Sequence, residues 1–318
     1  VNARQPITFD RMAGRLEGAT ALERCAVFLL RAGAAASAPL GHRGFSIGSR
    51  LVSSMIEQRD IVLALNANAR FSFPLGDGYW SRLLDQSFVY EPEIDRFLRA
   101  IADADYTFVD GGANFGYWSV LVSSRPYGSR PVIAIEASAA NAKRLSHNAE
   151  LNRGRFAILH RAIGAATGGQ VRLSGHKHEA LRIVDGDGAG ESVEMIALDS
   201  LADLGLLVRG QRLIVKLDVE GMEIDAIKGG RHLLEGDAIL IVEEHGADRT
   251  HAVSSYLLSA TPCRLFVLDP ASSRYEPMTE LTVLDRIKSN RAIGYNVFAT
   301  ASPYWEGRIR SVPATVRH

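Results

Sequence analysis

A chain of 318 residues with 36 Lys plus Arg against 36 Asp plus Glu has no net formal charge, which argues against a nucleic-acid binder working through broad phosphate neutralisation. Its length suits one large α/β domain with a smaller appended element. Two cysteines, Cys25 and Cys263, make neither a disulfide framework nor a metal-ligand cluster and fit a reducing compartment.

In chain order, residues 1–60 read as an N-terminal helical extension, with one helix over 22–30 and a Gly/Ala/Ser/Pro-rich connector at 33–44. The most apolar stretch, 25–38, is interrupted by Arg31 and is too short to span a membrane. It reads as a peripheral or dimer-forming helix, with weak membrane association as the alternative, so the expectation is a cytoplasmic protein with no transmembrane segment, homo-oligomerisation through these helices being left open. Residues 61–106 hold a β-hairpin (61–73, turning at Asn66-Ala67-Asn68) and a helix over 92–101, where Ile94, Phe97, Leu98 and Ile101 recur at helical spacing.

From Thr107 strands and helices alternate. Strands are expected near 107–110, 131–136, 156–160, 213–218, 238–244, 264–268 and 295–300, and helices near 114–124, 138–152, 221–235 and 250–260. Such alternation predicts an α/β fold: a mainly parallel seven-stranded sheet with helices on both faces, over 107–300, followed by a tail at 301–318. Residues 170–197 break the rhythm with short alternating segments and read as an antiparallel insertion.

The most informative segment is Thr107-Phe-Val-Asp-Gly-Gly-Ala-Asn-Phe-Gly116. An apolar strand ends in Asp110, then Gly111, Gly112 and Gly116 form a turn that lets a ligand approach the main chain. Twenty residues beyond Gly116, the next strand ends in Glu136. Carboxylates at adjacent strand tips around a glycine turn suit the ribose hydroxyls of a nucleoside cofactor. A dinucleotide fingerprint is disfavoured because Ala113 stands where a second glycine is needed and Asp110 would face a pyrophosphate. A cofactor with a cationic, phosphate-free end fits better, and S-adenosylmethionine is such a cofactor.

A second constellation lies at 213–230. The apolar strand Leu-Ile-Val-Lys-Leu delivers Asp218 and Glu220 at its carboxyl end, and Gly221 leads into a helix carrying Glu223. Ligands of open α/β sheets bind at that edge, so Asp218 should face the same crevice as Asp110 and Glu136. Glu223 has a structural reading of equal weight, as an acid favoured in the first turn of a helix.

Val109-Asp-Gly-Gly-Ala-Asn-Phe-Gly116, Glu136, the pair Asn148 and Asn152, Ala162-Ile-Gly164, Leu198-Asp-Ser-Leu201 and above all Lys216-Leu-Asp-Val-Glu-Gly-Met-Glu223 together resemble the FkbM family of S-adenosylmethionine-dependent methyltransferases, over about residues 88–300. Gly111 departs from the valine or isoleucine frequent there and is expected to loosen the turn. The resemblance implies a Rossmann-like class I methyltransferase fold and O-methylation of a hydroxyl on a sugar, glycan or secondary metabolite. It places the backbone of Gly111, Gly112, Asn114 and Phe115 around the methionine half of S-adenosylmethionine. Asp110 would face its ammonium or order the turn, Glu91 would reach the same end, Glu136 would take the ribose hydroxyls, and Ala162 would flank the adenine.

Methyl transfer to an alcohol is an in-line displacement that also needs a proton acceptor. Asp218, Glu220 and His245, the last following the strand 238–242, are the candidate bases. Asp218 and Glu220 as hard oxygen ligands leave a magnesium ion open. Tyr117, Trp118 and Trp80 read as core more readily than as a ring-binding surface, and His147, His160 and His251 as structural or exposed. The expected partner is therefore a small-molecule or glycan acceptor and no nucleic acid. The rivals are a catalytically silent methyltransferase-like binding subunit and a nicotinamide-dependent oxidoreductase.

Overall fold

The structure, a computed structural model, describes residues 6–174, 182–184, 190–288 and 294–314. The chain divides into two compact units: residues 1–90 with 146–154, and residues 91–145 with 155–318.

The first unit holds β1 (Ile7–Asp10), β2 (Arg15–Glu17), α1 (Ala21–Ser37), α2 (Phe45–Ser54), β3 (Asp60–Asn66) and β4 (Ala69–Pro74). Its sheet has the order β2-β1-β3-β4, with β1 parallel to β3 and antiparallel to β2. Two strands thus precede the first helix where a helical segment was expected. Ile7 and Phe9 alternate with half-buried Thr8 and Asp10, which is the period of a strand. The Asp10 carboxylate accepts from the Met12 and Ala13 N–H groups, both at 2.9 Å, and Gly14 takes φ 67°, so the chain turns back at once.

Helix α1 starts where Thr20 and Glu23 form a reciprocal cap, Glu23 accepting from the Thr20 N–H at 2.7 Å. Ala26, Val27, Leu30 and Ala34 are its buried stripe. The expected hairpin is β3–β4. In the first unit β4 has β3 as its strand partner on one side only. Its other edge is met by two amides, Asn148 and Asn152. Asn148 accepts from Ser72 N at 2.7 Å and donates to Ser72 O at 3.1 Å; Asn152 does the same with Arg70 N (3.0 Å) and O (2.6 Å). Spaced four residues apart, the two side chains continue the ladder at alternate residues of an edge strand.

The second unit runs α3 (Pro92–Ala100), β5 (Thr107–Gly111), α4 (Tyr117–Val122), β6 (Val132–Glu136), α5 (Ala139–Leu151, its last turn counted with the first unit), β7 (Ala157–His160), β8 (Ala162–Ile163), β9 (Gln170–Ser174), β10 (Arg182–Val184), β11 (Glu191–Ile196), α6 (Ser200–Asp203), β12 (Leu213–Leu217), α7 (Glu223–Gly229), α8 (Arg231–Leu234), β13 (Ala238–Glu244), α9 (Ala252–Ala260), β14 (Arg264–Asp269), β15 (Arg274–Met278), α10 (Thr282–Ile287), β16 (Tyr295–Thr300) and α11 (Pro303–Arg310). The main sheet has the order β15-β14-β16-β13-β12-β5-β6-β7. β7, β6, β5, β12 and β13 are parallel, and β16 runs antiparallel to both β13 and β14.

All seven expected strands are in this sheet, joined at one edge by β15, and the arrangement is the Rossmann-like one. The central strands are apolar end to end because both faces are covered, with Val109, Ile135, Val215, Leu217 and Leu240 fully buried. The chain leaves β5 in one direction for β6 and β7, and later returns on its other side as β12 and β13. A doubly wound sheet opens its ligand crevice at such a reversal, outside the carboxyl ends of the two strands. Register sets Asp110 beside Lys216 and Gly111 beside Leu217. The expected antiparallel insertion is a second sheet of order β10-β9-β11-β8.

Candidate active site

The glycine turn is packed against the segment that follows β12. Gly112 has φ 75°, and a Cβ on it would lie 1.8 Å from the carbonyl oxygen of Asp218. Only glycine fits there. Gly111 is different: its backbone is ordinary strand, yet a Cβ would meet Ile163 Cδ1 at 2.7 Å, Leu217 Cδ2 at 2.9 Å and Lys216 O at 2.9 Å. The expectation of a loosened turn is corrected, because neighbouring side chains fill the space a larger residue would take.

Beyond Gly112 the turn is tied to β6. The Gly112 and Ala113 N–H groups donate to Ile135 O at 2.9 and 3.0 Å, and Asn114, at φ 51°, donates its N–H to Glu136 Oε2 at 2.8 Å. The Asn114 side chain accepts from Phe115 N at 2.8 Å. Glu136 Oε1 accepts from Ser138 N at 2.8 Å and from the Asn141 amide at 3.4 Å. Burial pushes the Glu136 carboxyl up, and these donors work against that shift. Each carboxylate oxygen has two lone pairs, so Glu136 keeps capacity for further donors.

Asp110 is fully buried and accepts from Ser119 Oγ at 2.6 Å, which ties the strand tip to α4. Burial raises its pKa, with the Lys216 charge opposing. Glu91 takes a left-handed backbone, φ 44°, at the start of α3. One of its oxygens accepts from Trp118 Nε1 at 2.5 Å and the other from the Asn296 amide at 2.9 Å. Asn296 also donates to Glu93 at 2.7 Å, while its Oδ1 is buried without a hydrogen-bond partner among the described residues. Burial first, and then the charge of Glu91, push the Glu93 carboxyl up.

Lys216 is the electrostatic centre of this group. It is buried in β12, with Nζ 3.2 Å from Asp218 Oδ2. Burial opposes its charge, but Asp218, Glu91, Asp110 and Glu243 together hold it protonated well above the usual lysine range. Asp218 and Glu243 sit at the tips of neighbouring strands and behave as a pair. Burial works to raise Asp218, but Lys216 and a hydrogen bond from Glu243 outweigh it and keep Asp218 low. The charge of Asp218, then burial, drive Glu243 far up. The two carboxyls thus shift in opposite directions, Asp218 down and Glu243 up. The Glu243 carboxyl is pressed onto Gly294, where a Cβ would lie 1.5 Å from its Oε1.

The remaining predicted residues divide. Glu220 sits half-buried at the tip after β12 with φ 51°. Glu223 turns back and accepts from Val219 N at 3.1 Å and Gly221 N at 3.0 Å. It orders the loop that follows Asp218 and stands in the first turn of α7. His245 is exposed beyond β13, close enough for its charge to act on Asp218; its Nδ1 accepts from Ala247 N at 3.3 Å and Lys288 Nζ donates to its carbonyl at 2.8 Å. Ala162 is buried in β8, beside Met195 of β11, and packs with Ala137, Leu173 and Val193. Tyr117 and Trp118 are buried, and in the first unit Trp80 packs edge-on against Phe71 and Tyr79.

Sequence reasoning missed Lys216 as a site residue, together with Glu243, Asn296 and Ser119. The signals were present in part: a lone lysine inside an apolar strand next to an acid, and a Glu-Glu pair at another strand tip. Among the described residues no group of three or more His, Cys, Asp or Glu side chains is placed to hold a metal ion. The cation that faces Asp218 is Lys216. Carboxylates at Glu91 and Asp110, an orphaned buried carbonyl at Asn296, a glycine turn that admits no side chain and spare acceptors on Glu136 fit a nucleoside cofactor with a cationic end.

Residues 110–261 match the Methyltransferase FkbM domain. No curated protein matches the chain. Solved structures similar to it include a precorrin-6y C5,15-methyltransferase from Geobacter metallireducens GS-15 (10% identity, 68% of this chain and 91% of that one, TM-score 0.39). Others are an O-methyltransferase from Bacillus cereus in complex with SAH (11%, 67% and 82%, TM-score 0.38) and an rRNA methylase from Streptococcus thermophilus (12%, 67% and 97%, TM-score 0.36). Residues 110–261 form a methyltransferase FkbM domain, and the chain is an S-adenosylmethionine-dependent methyltransferase.

Proposed function

We propose that the chain is an O-methyltransferase whose acceptor is a hydroxyl of a sugar, glycan or small metabolite, and that Asp218 is the group that takes the hydroxyl proton. The observation that carries this reading is the place of Asp218: it follows β12 at the carboxyl end of the sheet, its backbone packs on Gly112 of the glycine turn, and its Oδ2 lies 3.2 Å from the Nζ of buried Lys216.

The cofactor is held by the main chain of Gly111, Gly112, Asn114 and Phe115 at its methionine half. Glu91 and Asp110 offer carboxylates to its ammonium, Glu136 takes the ribose hydroxyls, and Ala162 flanks the adenine. Bound there, S-adenosylmethionine supplies a methyl group on a sulfonium. Asp218 accepts a hydrogen bond from the acceptor hydroxyl and orients a lone pair of its oxygen. An alcohol that gains a substituent on oxygen becomes a strong acid, so a carboxylate of low pKa is basic enough to remove the proton. A base in that position contributes on the order of 10² to 10⁴ in rate. Lys216 keeps Asp218 ionised for the purpose, and Glu243 fixes its orientation. Exposed His245 is the less favoured base, and Glu220 borders the acceptor side.

The test is methyl transfer from labelled S-adenosylmethionine to a panel of hydroxylated sugars, glycans and metabolites, with amines and RNA included. Product carrying an O-methyl group, formed by the wild type and lost in Asp218→Asn, is the expected result. Transfer only to nitrogen, carbon or RNA would overturn the proposal.

A further inference from the structure

Between residues 21 and 56 the chain holds a single acid, Glu23. That acid is buried, caps α1 and pairs with Arg59 at 2.7 Å. The same stretch holds four arginines, and three of them, Arg24, Arg43 and Arg50, are exposed. The outer surface of α1 and α2 is therefore basic on a chain whose overall charge is zero.

That surface is also apolar. The core side of α1 is already supplied by Ala26, Val27, Leu30 and Ala34. Leu22 and Leu29 nevertheless stand exposed one heptad apart, with Phe28 beside them at 68% exposure. Ile47 and Leu51 on α2 and Met55, the residue that caps its end, follow at four-residue spacing, which is one helical stripe, and Leu51 is 64% exposed. Single exposed apolar residues are ordinary, but six on two neighbouring helices form a patch that needs a partner.

Charge decides which partner. No helix among the described residues is long and apolar enough to cross a membrane. Helices with an apolar outer stripe, flanking arginines and no exposed acid match the surface of a bilayer with anionic headgroups, where the apolar side chains enter the headgroup boundary and the arginines meet phosphates. A second copy of the chain fits less well. A two-fold contact through this face would set the same arginines against each other. We propose that α1 and α2 form a docking surface for anionic lipid bilayers.

Co-sedimentation of the full chain with vesicles tests this, using phosphatidylcholine alone and phosphatidylcholine mixed with phosphatidylglycerol. The wild type should sediment with the mixed vesicles, stay in solution with phosphatidylcholine alone, and be released by salt. Replacing Arg24, Arg43 and Arg50 by Glu should weaken binding by at least about fivefold per position. Phe28→Ser with Leu51→Ser should abolish binding. All five positions are exposed, so unchanged circular dichroism and melting are expected and serve as the folding control. The proposal is overturned if the folded wild type ignores both vesicle types, or if the serine variant binds as well as the wild type. It is also overturned if sedimentation velocity without lipid shows a dimer that the serine variant dissociates, which would assign the patch to a second copy.

Discussion

Replacing Lys216 by Met removes one positive charge from a buried site and leaves the length of the side chain nearly intact. With Nζ 3.2 Å from Asp218 Oδ2, the direct attraction is about 5 kcal/mol at an effective dielectric of about 20. Asp110, Glu91 and Glu243 add to it. The cost of burying the lysine offsets part of this gain, but removing one partner of a buried pair still typically costs about 3–5 kcal/mol. For a unit of this size that corresponds to a fall in Tm of about 6–20 °C. The pH dependence supplies a sharper check. In the wild type Asp218 is held below its ordinary 3.8, so its stabilising contribution is present above that value and does not change between pH 5 and 7. Lys216 is raised above 10.5, so its contribution is also complete in that window. In the variant the carboxylates lose their counter-ion and their pKa values rise, so they destabilise the fold increasingly as pH rises. The Tm deficit should thus be larger at pH 7 than at pH 5, as read by circular dichroism melts of both proteins. A deficit below about 1 kcal/mol, or one equal at the two pH values, would refute the idea that Lys216 neutralises this cluster.

Three further outcomes are expected. Asp218→Asn, which keeps the shape and the contact with Glu243, should lower kcat by about 10²- to 10⁴-fold and leave affinity for S-adenosylhomocysteine within a few-fold, whereas His245→Ala should retain most of kcat; steady-state kinetics and calorimetry separate the two. Gly111→Val should lose about 1–3 kcal/mol from overpacking against Ile163 and Leu217, seen as a lower midpoint in denaturant, and an unchanged midpoint would contradict the packing described. Asn148→Ala should cost about 1–3 kcal/mol for each backbone group of Ser72 left buried and unpaired, with faster amide exchange at Ser72 as the local readout.

The central sheet was legible because parallel strands buried on both faces read as apolar runs, and several of them end in an acid. β1 and β2 were not. At four and three residues they are too short for period two to stand out beside a long helix, and their pairing depends on β3, some fifty residues downstream. The acids at the strand tips were visible one by one, and Asp110, Glu136 and Asp218 are each at a carboxyl end. Their division of labour was not visible. That Asp218 shifts down and Glu243 up follows from the parallel register of β12 and β13 and from Lys216, whose position inside an apolar run disguised it. Glu223 read equally well as an acid favoured in the first turn of its helix, and its carboxylate closes the loop before that helix, on Val219 N and Gly221 N. Gly111 shows the reverse error: a glycine read as slack is a tight contact, because Ile163 and Leu217 approach it from distant parts of the chain.

Calorimetric titration with S-adenosylhomocysteine, on the wild type and on Glu136→Ala, decides whether the crevice beside the glycine turn is the cofactor site. Micromolar binding by the wild type, weakened about 30-fold or more in the variant by the loss of charged hydrogen bonds to the ribose, is the predicted result, with circular dichroism confirming that the variant is folded. Absence of binding by the folded wild type would contradict the assignment of this crevice, and equal binding by the two proteins would remove Glu136 from it.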